Sequence, residues 1–257
     1  MTPTSPSSRE VSRLNSLLIS SGTALLWITL CSLLLADNSP TAIIFFDINT
    51  ELLPYPLTLQ NLMWLVFFIG IGELYYRYQQ VSESKQAIHS GYLSEDPTIF
   101  YTINDIVTIR QRIYRHNNLL AQLLNTLTIR YQASSKSVEQ THQMLNSQLE
   151  LLQFRLDVDY NMIRYIIWLI PTLGFIGTVI GIALALNAAG IPGAAERPDF
   201  VSTLTAKLAV AFYTTLVALM MSTLLVYLMH LVQGAEERMI QRCGDYCLNH
   251  FINKLMS

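Results

Sequence analysis

The sequence predicts an all-α, polytopic membrane protein with four transmembrane helices, both termini in the cytoplasm (N-in/C-in), and long cytoplasmic helical extensions. Three observations carry this reading. Of 257 residues, 51% are apolar and only 13% are charged. Four stretches, 14–36, 52–72, 165–195 and 208–235, contain no Asp, Glu, Lys or Arg, and each reaches the ~20 residues that a helix needs to cross a bilayer core. With the N-terminus inside, fourteen of the sixteen Lys and Arg fall in cytoplasmic segments, and only Arg197 and Lys207 fall outside, as the positive-inside rule requires. A formal net charge of -2 leaves no basic excess for a nucleic-acid backbone. The apolar content rules out a disordered chain.

Residues 1–16 read as a disordered cytoplasmic N-terminus, because MTPTSPSS is rich in Pro and Ser. Residues 17–76 hold the first two crossings, with apolar runs at 17–35 and 57–75. A signal peptide is the alternative for the first run, disfavoured by its length and by the lack of an A-x-A cleavage pattern. The second run begins after Pro54 and Pro56 and holds Glu73 near its inner end, where a carboxylate reaches the headgroups as a solvated anchor. The outer loop 37–60 carries only three acids and includes Ile43, Ile44, Phe45 and Phe46, which suits the membrane surface or a partner.

Residues 77–162 form a cytoplasmic helical domain. After an N-cap at Asp96-Pro97, apolar residues recur with helical period at Ile103, Ile106, Val107, Ile113, Leu120, Leu123, Leu124 and Leu127. A polar interruption follows at 133–137. Beyond it Leu145, Leu149, Leu152 and Leu156 make an a/d seam, expected to pack on the chain's own 103–127 helix in preference to another subunit alone. No Gly or Pro lies between Ser137 and Pro171, so this helix is expected to run unbroken into the third crossing. Residues 163–233 hold the third and fourth crossings, with apolar runs at 163–187 and 208–231, and 234–257 form a cytoplasmic tail. Cys31, Cys243 and Cys247 form no disulfide in a reducing compartment. Cys243, Cys247 and His250 are spaced to touch one metal, but without a visible fourth ligand packing is the preferred reading and no metal is expected.

The third crossing carries a stripe of small residues. Pro171, Gly174, Thr178, Gly181 and Ala185 step by three or four, so they share one helix face with Gly177 beside them. The fourth crossing has a counterpart in Ala211, Thr215, Ala218 and Ser222. In lipid, such faces let helices approach closely. Pro171 has no N–H for the carbonyl of Ile167, so the helix must bend there or satisfy that oxygen from elsewhere. Thr178 and Thr215 fall at similar depth and suit one polar path, the alternative being a bond from each hydroxyl to its own i−4 carbonyl. Neither crossing contains Asp, Glu, Lys or Arg, and His230 near the inner end is the single ionisable candidate. A proton-carrying role therefore needs a partner that supplies the acid. The sequence has no Walker A loop, G-x-S-x-G, H-E-x-x-H or dinucleotide motif, so neither an enzyme nor a cofactor is expected. A small-solute transporter is disfavoured by the absence of a repeated half.

The segment 170–182, IPTLGFIGTVIGI, followed by AVAFYTTLVALMMS at 209–222, resembles the MotA/TolQ/ExbB proton channel family over residues 160–230. The resemblance implies a homo-oligomeric ring, a pentamer, in a bacterial inner membrane. The ring would enclose a dimer of an ExbD-, TolR- or MotB-like single-span partner whose Asp accepts the proton, in a motor driven by the proton-motive force. It implies that Thr178 and Thr215, with Thr214 beside them, line the ion path. It also implies that Pro171 bends the helix, and that Gly174, Gly177, Gly181, Ala211, Ala218 and Ser222 pack toward the pore. Na+ in place of H+ is the variant suggested by the extra hydroxyls Thr172 and Thr214. A non-conducting helical scaffold is the alternative from the binding class. Four crossings look like the flagellar stator subunit, whereas GFIGTVIGI is closer to the three-crossing TolQ and ExbB branch. The 24-residue tail is short for the phage-defence relatives, so the branch stays open.

Overall fold

The computed structural model describes residues 6–34, 44–46, 56–89, 91–93, 100–114, 116, 118–133 and 137–255, with backbone alone for 6–12 and 103. The elements are α1 (Pro6–Leu34), α2 (Leu59–His89), α3 (Ile103–Ile113), α4 (Leu119–Ala133), α5 (Val138–Asp159), α6 (Asn161–Ala189) and α7 (Phe200–His250), with 3₁₀ turns at Ala194–Glu196 and Ile252–Lys254. Among the described residues there is no strand, only an isolated bridge between Tyr101 and Leu255. The chain divides into two compact units, one comprising Arg9–Leu74 and Met162–Met229, the other Tyr75–Asn161 and His230–Ser257.

Three helices are long and apolar enough to cross a membrane, at Arg13–Leu34, Val138–Ala189 and Phe200–Lys254. The second expected crossing is not among them, because Gln60 and Asn61 open α2 and Glu73 and Arg77 interrupt its apolar run. The apolar unit exposes Leu33, Val179 and Leu186 at 84%, 69% and 67%. A soluble domain does not leave large aliphatic faces open in this way, whereas lipid solvates them.

Several expectations need correction. α1 begins at Pro6, so the segment read as disordered to residue 16 is helical from residue 6; once an apolar helix is nucleated, each added residue gains a hydrogen bond, and Ser and Arg extend it readily. The expected single helix 103–127 is two, α3 and α4. The Asn118 side chain accepts from the Ala121 amide at 2.8 Å and caps α4, a start signal inside what reads as one periodic run. The cap expected at Asp96-Pro97 lies outside the described residues. Within them, Thr102 and Asp105 form a capping box at the start of α3, with the Thr102 amide and hydroxyl donating to Asp105 Oδ2 at 2.9 and 2.6 Å.

The helix expected to run unbroken from Ser137 is one span, Val138–Ala189, in which a single turn residue, Tyr160, separates α5 from α6 while its amide still donates to the Leu156 carbonyl at 3.1 Å. Ser137 does cap its start, accepting from the Gln140 amide at 3.2 Å. Tyr160 is fully buried. Its hydroxyl donates to Glu236 Oε2 at 3.0 Å, and the Arg77 guanidinium lies 4.6 Å from its ring centroid. Arg77 also donates to the Asp159 carbonyl at 3.1 Å, capping the end of α5 with a cation.

The second unit has a core of its own in which Ile106, Leu120, Leu124, Leu127 and Leu145 pack with Cys243 and Cys247 of α7. The leucine seam of α5 thus finds its partners within the chain: Leu145 enters this core, and a Cβ on Gly244 of α7 would lie 2.8 Å from Leu149. Cys243 and Cys247 are free, fully buried thiols, and no group of three His, Cys, Asp or Glu among the described residues is placed to hold a metal.

Ile44, Phe45 and Phe46 of the segment 37–60 fold onto the start of α2, while Ile43 lies outside the described residues. Their carbonyls accept from Gln60 Nε2 at 2.9 Å, Trp64 Nε1 at 3.0 Å and Thr58 Oγ1 at 3.3 Å, and the Phe46 ring stacks on Trp64.

Candidate functional site

The small-residue faces of α6 and α7 meet each other. A Cβ built on Gly174 would fall 2.6 Å from Ala218 Cβ, one on Gly177 2.7 Å from Thr214 Oγ1, and one on Gly181 2.6 Å from Ala211 Cβ. No real Cβ fits at those distances, so glycine is required at all three rungs for the backbones to come this close. The ladder is antiparallel, rising on α6 as it descends on α7. Gly174, Gly177, Gly181, Ala185, Ala211 and Ala218 are buried in the contact.

The hydroxyls gather on this ladder. Thr178 Oγ1 and Thr215 Oγ1 are joined by a hydrogen bond. Thr178 Oγ1 lies 3.2 Å from its own i−4 carbonyl, Gly174, and 3.2 Å from that of Ala211 on the other helix. Thr215 Oγ1 lies 3.2 Å from the Gly174 carbonyl. Thr214 is buried and donates to the Ala211 carbonyl at 2.8 Å. The two hydroxyls meet as a pair; Thr178 also lies within reach of its own i−4 carbonyl, whereas the backbone acceptor of Thr215 is Gly174 on the other helix and not its own i−4 carbonyl. Thr178 and Thr215 remain half-buried and reachable, whereas Thr214 is enclosed. Thr172 stands apart from the group, bonding to the Trp168 carbonyl at 2.9 Å.

Pro171 lies inside α6, which continues through it. The carbonyl of Ile167 that proline deprives of an N–H accepts instead from Ser222 Oγ of α7 at 3.1 Å. The requirement was legible in the sequence, and Ser222 was singled out for packing; its role as donor to that carbonyl came only with the structure.

Two polar arrangements were missed. Glu73, read as a solvated anchor, is 3% exposed and grips Arg13 of α1 through two contacts, Nη2 to Oε1 at 2.8 Å and Nε to Oε2 at 3.0 Å. Nearby, Ser16 Oγ donates to the Gly72 carbonyl at 3.0 Å. The available signal was an Arg just before the first apolar run and a Glu near the end of the second, since a charge beside such a run usually has a partner. The other arrangement is the Arg77, Tyr160 and Glu236 cluster of the second unit, where Arg77 Nη1 lies 3.5 Å from Glu236 Oε2.

No curated protein and no solved structure matches the chain. A family model described as the MotA/TolQ/ExbB proton channel family matches residues 113–244, just over half of the chain. The match spans both small-residue faces, Pro171 and its substitute donor Ser222, and the hydroxyl pair, and by it the chain belongs to the MotA/TolQ/ExbB proton channel family.

Proposed function

We propose that the chain is the ring-forming subunit of an energy-transducing complex driven by the proton-motive force in a bacterial inner membrane. Five copies surround a dimer of an ExbD-, TolR- or MotB-like single-span partner, whose membrane Asp takes and releases the proton. Each copy crosses four times with both termini inside. α2 supplies the second crossing despite Glu73, because that carboxylate is neutralised by Arg13. The chain contributes no catalytic group and no cofactor. Its part is to present Thr178 and Thr215, with Thr214 behind them, to the partner's carboxylate. Each proton carries ~2.3 kcal/mol per 100 mV, and its transfer advances the ring around the central helices.

One observation supports this most directly. Two hydroxyls meet on a glycine ladder between crossings that contain no Asp, Glu, Lys or Arg of their own. A second reading, a non-conducting scaffold, draws on the same bonds, since each hydroxyl already has a partner within the helix pair.

The test is proton flux into proteoliposomes containing the chain and a single-span, Asp-bearing partner, followed by a pH-sensitive dye under an imposed potential. Thr178→Val combined with Thr215→Val is expected to lower flux about tenfold or more, the equivalent of ~1.4 kcal/mol in the barrier. Unchanged flux refutes the assigned path, and an intact complex with no flux favours the scaffold.

A further inference from the structure

Within the second unit, the last turns of α2 and α7 border an open cleft of about 270 Å³ that the proton path does not use. Lys85 and His89 of α2 line it, with Arg242, Asp245, Tyr246 and His250 of α7. Neither Lys85 nor Arg242 has an ion-pair partner among the described residues, and Asp245 pairs with neither. Lys85 and His89 lie where cations offset the negative end of a helix dipole. Arg242 lies two turns before the end of α7, too far for that explanation. Two cations sharing one small cleft repel each other, and a bound anion relieves that repulsion.

The remaining walls limit the kind of anion. Met239 and Ile88 make an apolar floor. Tyr246 is buried and held by the Leu93 amide, which donates to its hydroxyl at 3.1 Å. The His250 ring lies 4.8 Å from that of Tyr246, and its Nδ1 is buried without a hydrogen-bond partner. No bond at that nitrogen keeps the ring from turning toward a ligand oxygen. We propose that this cleft binds a small organic phosphate of about mononucleotide size, its phosphate between Lys85 and Arg242 and its apolar or aromatic part on the Met239 and Tyr246 floor. A phosphate group is also what a lipid would bring. Counted along α7, however, Met239 to His250 lie about 12 to 28 Å past residue 231, where the apolar run ends. That is beyond a headgroup layer of ~5 to 8 Å, so the ligand is a soluble one.

The test uses the full chain in nanodiscs of neutral phosphatidylcholine, titrated calorimetrically with AMP and with inorganic phosphate. Saturable AMP binding is expected, about tenfold tighter than phosphate. Arg242→Gln or Lys85→Gln should weaken it by about tenfold or more. Arg242→Lys should largely keep it, and so should Arg238→Gln, one turn away and outside the cleft. Thermal unfolding of each variant checks the fold, and the Lys and Gln pair at 242 separates lost charge from lost structure. No saturable binding, equal affinity for AMP and phosphate, or equal weakening by Arg238→Gln overturns the proposal. So does binding that appears only when phosphatidylglycerol replaces the neutral lipid.

Discussion

Gly181→Ala tests the ladder between α6 and α7. The added Cβ would stand 2.6 Å from Ala211 Cβ, 3.0 Å from Ala211 Cα and 3.1 Å from its amide nitrogen. Carbon atoms rest ~3.5–4.0 Å apart, so the helices must part locally by about 1 Å. Nothing there can turn aside, since two of the three neighbours are backbone atoms and the third is a methyl. A gap of that size forfeits about a quarter to a half of the dispersion energy at the contacts it opens, and overpacking of this kind typically costs about 1–3 kcal/mol. Alanine also returns up to about 1 kcal/mol of helix propensity, so the comparison needs a glycine where only that gain operates. Gly22 of α1 has nothing within 4 Å of its built Cβ. Unfolding of detergent-solubilised protein by increasing SDS, followed by tryptophan fluorescence, should place Gly181→Ala about 1–3 kcal/mol below Gly22→Ala. Equal stability of the two would mean that the close approach of the helices is not what holds them together.

Other outcomes follow from single contacts. Ser222→Ala leaves the Ile167 carbonyl without its donor and should cost about 0.6–1.7 kcal/mol; in a Pro171→Ala background, where the helix regains its own N–H, the loss should shrink, and additive losses would refute the substitution of donors. Glu73→Gln and Arg13→Gln should show a coupling energy in a double-mutant cycle above the ~0.2–1 kcal/mol of exposed pairs, because Glu73 is buried although Arg13 is 41% exposed. The Thr102 hydroxyl and amide hold the Asp105 carboxyl below its ordinary value of 3.8. The capping box therefore adds stability that is present above about pH 4 and lost as pH falls through the lowered value. Asp105→Asn should flatten that acid limb of the thermal unfolding midpoint, and an unaltered limb would show that the box contributes nothing.

The sequence by itself determined the helical class, the depth of the apolar runs and the two small-residue faces, because each depends on composition or on a period of 3.6 residues along one segment. It also determined that the Ile167 carbonyl needs a donor, since a proline inside a helix removes one wherever it occurs. The tertiary structure decided which donor answers. Ser222 is 55 residues away from Ile167, and no local pattern links them. The same holds for the pairing of Thr178 with Thr215, which depends on the antiparallel register of two helices and not on either alone. Arg13 and Glu73 were each visible as charges at the ends of apolar runs, but a lone carboxylate there reads as solvated until another helix brings a guanidinium to it. The separate start of α4 and the single turn residue at Tyr160 were hidden for a related reason. A capping Asn inside a periodic run, or a tyrosine held by Arg77 and Glu236 from two other helices, overrides local propensity only after those partners have packed.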